Sequence, residues 1–109
     1  FRTVNLENGK PTVEQAIERF GYEISFAARE GCRILILIHG WGSSGQGGAI
    51  KQEVRRRLAF MLENRQINDF LPGEECDMRF GHGRHLVRRF PFLKRYMQKA
   101  NPGISIVIV

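Results

Sequence analysis

The chain has 109 residues and a formal net charge of +6, with 42% hydrophobic and 26% charged residues. This length fits one domain that buries a core without metal or disulfide staples. It contains no signal peptide and no apolar run of the roughly 18 residues that a membrane span needs, and the spacing of Cys32 and Cys76 demands no disulfide. We therefore expect a cytoplasmic protein without membrane contact, and the start at Phe1 is consistent with a domain of a longer chain.

The first half of the chain alternates strand and helix patterns. A short strand over 3–6 precedes a helix, which Thr12 and Gln15 begin as a capping box and Gly31 ends. The unbroken apolar run over 34–38 is typical of a central parallel strand that is covered on both faces.

The second half continues the same alternation. A helix follows the glycine-rich turn at 39–48, and a short strand is predicted at 67–71. A loop and a helix that Pro91 interrupts then lead to a last apolar strand over 104–109. The order β-α-β-α-β-α-β predicts one α/β domain over 1–109 with a mostly parallel four-stranded sheet.

The positive charge lies almost entirely in the second half. Residues 1–48 carry five basic and five acidic groups, whereas residues 49–109 carry twelve basic and six acidic groups. Such a one-sided excess is the footprint of a polyanion binder, although a solvated basic surface without a partner has the same composition.

The turn from His39 to Gly48 holds five of the 12 glycines and follows a predicted strand end, where ligands collect in α/β proteins. Glycines let a ligand approach the backbone, and the first N–H groups of the next helix can hold an anion. Trp41 is unusual in so polar a loop and could stack on a base. The turn lacks the Gly-Lys-Ser/Thr sequence of a nucleotide P-loop. We interpret it as a phosphate-binding turn, with a flexible connection as the alternative. For His39 by itself, a ligand contact is favoured over the alternative of a structural histidine that caps the strand end.

Two predicted helices carry basic residues that could contribute to phosphate binding. Arg55, Arg56 and Arg57 lie in the helix that the turn opens, but at about 100° apart they cannot all face one ligand. In the segment 72–100, basic residues alternate with apolar ones, which predicts a helix that grips a phosphate backbone, docks on the sheet, or does both. A lipid-binding surface is a further alternative.

The sequence resembles the Smr (small MutS-related) domain family. The resemblance rests on His39-Gly40-Trp41-Gly42 after an aliphatic strand, on the helix start from Thr12 to Ala16 (Thr-Val-Glu-Gln-Ala), and on the aliphatic closing strand. It implies a two-layer α/β sandwich similar to the carboxyl-terminal domain of translation initiation factor 3. It also implies DNA or RNA binding, often with nicking endonuclease activity, and makes 72–100 a basic loop-plus-helix insertion.

The chain departs from the family at the motif Leu-Asp-Leu-His-Gly. Asn5 stands in place of its acid and Glu7 in place of its histidine. Asparagine cannot serve as a base or hold a cation as a carboxylate does. The favoured hypothesis is therefore a divergent Smr-like domain that binds DNA or RNA without efficient cleavage.

Two other hypotheses remain. One is an endonuclease assisted by Mg²⁺ or Mn²⁺, in which Glu7 holds the cation and His39 is the general acid or base; the other is a protein-interaction domain. No metal site or other cofactor is predicted, because Cys76, His82 and His85 match no zinc signature. The predicted nucleic-acid-binding residues are His39, Gly40, Trp41, Gly42, Ser43, Ser44, Gly45, Gly47, Gly48, Lys51, Arg55, Arg56, Arg88 and Arg89.

Overall fold

A computed structural model describes residues 1–41 and 47–109. The predicted residues Gly42, Ser43, Ser44 and Gly45 lie outside this described part of the chain. The elements follow in the order β1 (Arg2–Asn5), α1 (Val13–Glu30), β2 (Ile34–Ile38), α2 (Gly47–Glu63), β3 (Asp69–Pro72), α3 (Gly81–Arg89) and β4 (Ile104–Ile108).

Helix α1 forms as its sequence predicts. The side chain of Thr12 accepts the N–H of Gln15, whose own side chain accepts the N–H of Thr12, so the capping box is complete. Gly31 ends the helix at a φ of 71°, in the left-handed region that glycine enters without penalty. The prediction for this helix is confirmed at both ends.

The sheet has the order β1-β2-β4-β3 and is mixed. Among the described residues, the β1–β2 pair is the one parallel pair, while β4 runs antiparallel to both β2 and β3. The α/β class is confirmed, but the prediction of a mostly parallel sheet is wrong for the hydrogen-bonded pairs. An unbroken apolar run indicates that a strand is buried on both faces, but it does not indicate whether the neighbouring strands are parallel or antiparallel. Strand β4 is antiparallel to its neighbours and is nevertheless buried along its whole length.

Helices cover both faces of the sheet. Leu35, Leu37 and Val107 face one way, into a core shared with α1 and α2. The alternating residues Ile34, Ile36 and Ile106 face the other way, into a second core.

The second core is filled from the segment 72–100. Its contributors are Leu86 of α3, together with Leu93 and Met97 in and just after a 3₁₀ helix at Pro91–Tyr96. The domain therefore has three layers, and the predicted two-layer sandwich is wrong. The apolar residues of this segment dock on the sheet, as one of the interpretations of its alternating pattern predicted, and its basic residues are exposed.

Candidate nucleic-acid interface

Three strand ends and one strand start meet at a single edge of the sheet, which we call the site edge. The strand register pairs Asn5 with Ile38, Ile38 with Ile104 and Pro72 with Ser105. The carboxyl ends of β1, β2 and β3 therefore lie beside the amino end of β4. This edge is where α/β proteins bind ligands.

Gly40 fixes the path of the chain as it leaves β2. Its φ is +73°, and its N–H and that of His39 both donate to the carbonyl of Gly103, at 3.1 and 2.9 Å. A β-carbon on Gly40 would collide with the carboxylate of Glu7. The structure thus brings Glu7 against the residue that follows His39, although it reaches the backbone of Gly40 and not a metal-binding cluster.

The His39 ring is completely buried and bonded through both nitrogens. Its Nδ1 lies 2.8 Å from the carbonyl oxygen of Gly40, and its Nε2 lies 2.9 Å from the hydroxyl oxygen of Ser105. A carbonyl only accepts, so Nδ1 carries the proton and Nε2 accepts from Ser105. The ring therefore links the exit of β2 to β4, which is the role expected of a structural histidine at the strand end.

The surroundings of His39 favour its neutral form. The pKa of His39 is lowered to about 4, chiefly by burial and in addition by the positive charges of Arg55 and Lys51, although the hydrogen bond to Gly40 raises it. The imidazole is therefore uncharged at neutral pH and contributes no positive charge toward an anion.

Arg55 joins His39 to a charged cluster. Its Nε donates to the Ser105 hydroxyl at 2.6 Å, and its Nη2 donates to the carbonyl of Ile104 at 3.0 Å and to the Glu74 carboxylate at 2.7 Å. Lys51, one helical turn earlier, donates to the other oxygen of Glu74 at 2.6 Å. Three predicted site residues, His39, Lys51 and Arg55, therefore lie in one network.

Sequence reasoning missed Ser105 and Glu74, which complete this network. Ser105 was detectable in principle, since it is the one polar residue in the apolar run from Ile104 to Val109 and buried hydroxyls need partners. Glu74 gave no such signal, because it is an ordinary acidic residue in what the sequence predicts as a loop.

Trp41 is a strongly exposed residue among the predicted ones that the structure describes at the site edge. Its side chain is 62% exposed, and one edge of the indole packs over Gly103. Gly47 and Gly48 are the first two residues of α2, so the backbone N–H groups expected to hold an anion belong to a helix start.

The other predicted arginines lie apart from the network. Arg56 and its neighbour Arg57 both donate to Glu53 on the solvent side of α2. Arg88 and Arg89 belong to α3, on the opposite face of the sheet.

Contacts of Arg89 place it toward the opposite end of the sheet as well. Its guanidinium lies 5.1 Å from the ring of Phe90, and that of Arg33, just before β2, lies 5.5 Å from the same ring. Arg33 and His39 stand at opposite ends of β2, about 20 Å apart at the rise of a strand. The structure therefore separates the predicted interface into two regions.

Two of the three residues considered as zinc ligands, Cys76 and His82, have other surroundings, and His85 is exposed. Cys76 is buried, and burial raises the pKa of its thiol to about 12. His82 lies 2.7 Å from the carboxylate of Asp69. Within residues 1–41 and 47–109, no three side chains of histidine, cysteine, aspartate or glutamate are grouped as a metal site. In that same part of the chain, no helix has the length and apolar character to cross a bilayer.

The fold is a three-layer α/β domain whose candidate site lies at the strand ends. A solved structure with this architecture is the Smr domain of Thermus thermophilus MutS2, with a TM-score of 0.60 and 19% sequence identity. The similarity covers 99% of this chain and 96% of that one. No protein-family model and no curated protein sequence matches the chain. The chain is therefore an Smr-like domain by its fold.

Proposed function

We propose that this Smr-like domain binds DNA or RNA at the site edge, through the turn that begins at His39 and the first turns of α2. The observation that carries the proposal is the position of Trp41. This large aromatic side chain is 62% exposed, and along the chain it lies between the end of β2 and the start of α2. Exposed aromatic rings at such a place stack on bases, while helix N-termini hold phosphates.

The distribution of charge supports the same partner. The surplus of six positive charges arises after residue 48, in α2, α3 and the segments around them. Charges of this sign concentrate a polyanion near the domain before any specific contact forms. The resemblance of the motifs around Thr12 and His39 to Smr domains, which implies nucleic-acid binding, agrees with the Smr-like fold.

The geometry supports binding better than cleavage. A general acid or base must reach the proton that it transfers, and both nitrogens of His39 already bond to Gly40 and Ser105 inside the protein. Mg²⁺ or Mn²⁺ belongs only to the nuclease hypothesis. The nuclease hypothesis is tested by a nicking assay on supercoiled plasmid with either ion. Cleavage by the wild type that disappears in both Glu7→Gln and His39→Ala would refute the proposal that the domain binds nucleic acid without cleaving it.

The binding proposal is tested by titration with labelled duplex, branched and single-stranded DNA and RNA. Trp41 is the only tryptophan in the chain, so its fluorescence reports on the site edge alone. We expect Trp41→Ala to weaken binding about 5- to 150-fold, the equivalent of about 1–3 kcal/mol for one stacked base.

Phe60 provides the matched control. It lies on α2 and is 59% exposed, close to the value for Trp41, but it stands near the other end of the helix. We expect Phe60→Ala to leave affinity within about twofold, as is usual for an exposed residue outside an interface. Equal effects of the two substitutions, or no binding of any oligonucleotide at low salt, would refute the proposal.

A further inference from the structure

The Glu74 carboxylate bridges two cations at the site edge. One oxygen lies 2.7 Å from Nη2 of Arg55 and the other 2.6 Å from Nζ of Lys51. The two cations are four residues apart on α2, so they project from the same side of the helix. Together they form a cradle for one anion that offers two oxygens.

The two cations of the cradle are less exposed than the carboxylate that lies between them. Arg55 is also held by Ser105 and by the carbonyl of Ile104, and the side chains of Arg55 and Lys51 are each 19% exposed. The side chain of Glu74 is 44% exposed. Arg55 is therefore held in place independently of Glu74 and Lys51 is largely buried, whereas the carboxylate has open solvent into which it can turn.

The backbone that carries Glu74 is fixed, so only its side chain needs to move. The carbonyl of Gly73 accepts the N–H groups of Asn101 and Cys76, at 2.8 and 3.1 Å. A β-carbon on Gly73 would collide with the backbone of Asn101, which shows how closely the two segments pack. Rotation of the Glu74 side chain can therefore empty the cradle without disturbing the fold.

We propose that Lys51 and Arg55 form a phosphodiester site that Glu74 fills in the free protein, and that a nucleic-acid phosphate displaces this carboxylate. The inference rests on the proposed function and adds to it the atoms that receive a phosphate. The two non-bridging oxygens of a phosphodiester replace the two carboxylate oxygens, each on its own cation. Glu74 is thus an internal competitor that lowers affinity and keeps two inward-facing cations neutralised when no ligand is bound.

The charge state of Glu74 is consistent with this role. Burial raises its pKa, but the hydrogen bonds from Arg55 and Lys51 outweigh burial and lower the pKa to about 2. The carboxylate is therefore ionised at neutral pH and competes as an anion.

Glu74→Gln tests the inference, and Glu53→Gln is its matched control. Glu53 also bridges two cations of α2, Arg56 and Arg57, but on the solvent side of the helix. Both substitutions remove one negative charge, so long-range attraction changes equally. Each variant is titrated with the same short labelled DNA duplex and single-stranded RNA over a range of salt concentrations, after thermal unfolding has shown that it is folded.

We expect Glu74→Gln to bind about tenfold more tightly than wild type at low salt, because no charged competitor remains. Glu53→Gln should bind within about twofold of wild type.

Equal affinities of the two variants, or weaker binding by Glu74→Gln, would overturn the inference and make Glu74 a residue that positions Arg55. If the inference is overturned in this way but the wild type still binds and Trp41→Ala still weakens binding, the proposed function is retained and only the displacement of Glu74 is rejected. If wild type and both variants bind neither probe at low salt, the proposed function fails and the inference fails with it.

Discussion

The hydroxyl of Ser105 lies between the Nε2 of His39, at 2.9 Å, and the Nε of Arg55, at 2.6 Å. Its directions of donation are determined, because Arg55 can only donate and the neutral His39 ring presents an acceptor at Nε2. A chain of hydrogen bonds therefore runs from α2 through β4 to the backbone of Gly40. These hydrogen bonds connect Arg55 of the cradle to His39 and Gly40 at the start of the turn.

We expect Ser105→Ala to cost about 2–4 kcal/mol of unfolding free energy, since it leaves one polar partner unsatisfied on each side of the missing hydroxyl. Urea unfolding measures the loss. Ile106→Val, at the next position of β4, is the control and should cost about 0.5–1.5 kcal/mol. A smaller loss for Ser105→Ala than for Ile106→Val would contradict this account of the network.

Stability should decrease as pH falls from 6.5 toward 4 because of His39. In the unfolded chain the histidine binds a proton near its ordinary pKa of 6.5, whereas in the folded protein it does so only near 4. Protonation therefore favours the unfolded state in this window, by up to about 3 kcal/mol in total. Urea unfolding at a series of pH values measures the slope.

Replacing His39 by glutamine should flatten that pH dependence, since the amide cannot titrate. His85→Asn removes an exposed histidine and is the control, which should keep the wild-type slope. Glu74 acts in a lower window, because its stabilising charge is present above 4.5 and is lost as pH falls toward 2. An unchanged slope between pH 6.5 and 4 in His39→Gln would rule out His39 as its origin.

Gly40→Ala should be more damaging than Gly9→Ala. Both glycines have a positive φ, +73° and +82°, but only at Gly40 would a β-carbon collide with the Glu7 carboxylate. The left-handed backbone alone costs an alanine about 1–2 kcal/mol, which is what we expect at Gly9. At Gly40 the Glu7 carboxylate must also rotate away, which adds a small cost because it is the end of a flexible, half-buried side chain; thermal unfolding compares the two variants.

A second substitution identifies the source of the added cost. Glu7→Ala removes the obstructing side chain, so the double variant should recover most of the difference between the Gly40 and Gly9 substitutions. Strict additivity of Glu7→Ala and Gly40→Ala would show that the two residues do not interact.

The two basic regions should contribute separately to binding. Lys51→Gln should weaken binding of a short oligonucleotide about tenfold, since it removes a charge-assisted contact at the site edge. Arg88→Gln combined with Arg89→Gln should leave that short ligand unaffected and weaken only longer ones that reach the opposite face. Equal losses for short and long ligands in the double variant would place α3 at the same site as α2.

The sequence predicted those features that depend on local order. The capping box of α1 and the burial of β2 on both faces follow from residues close together in the chain. The direction of β4 could not be predicted in this way, because apolar content is the same for either direction. The third layer was not predicted either. The apolar residues of 86–97 indicate that the segment packs on the sheet, but they do not indicate whether it covers the second face or joins α1 and α2 on the first.

The candidate site was predicted in part for the same reason. His39, Lys51 and Arg55 could be selected because each stands near the glycine-rich turn in the sequence. Glu74 and Ser105 reach that place only through the register of β3 and β4, which pairs Pro72 with Ser105. Contacts that depend on strand register across many residues leave little trace in a single sequence.

The position of β4 in the sheet also has a consequence for how the chain folds. β2 and β3 do not pair with each other in the described structure; each bonds to β4, which comes last of the four strands along the chain. Until β4 is in place, both strands expose unpaired backbone groups, which invite pairing with other molecules. Nearly the whole domain must therefore be synthesised before the four-stranded sheet can form. A chain that ends before Ile104 should aggregate instead of folding into a smaller domain.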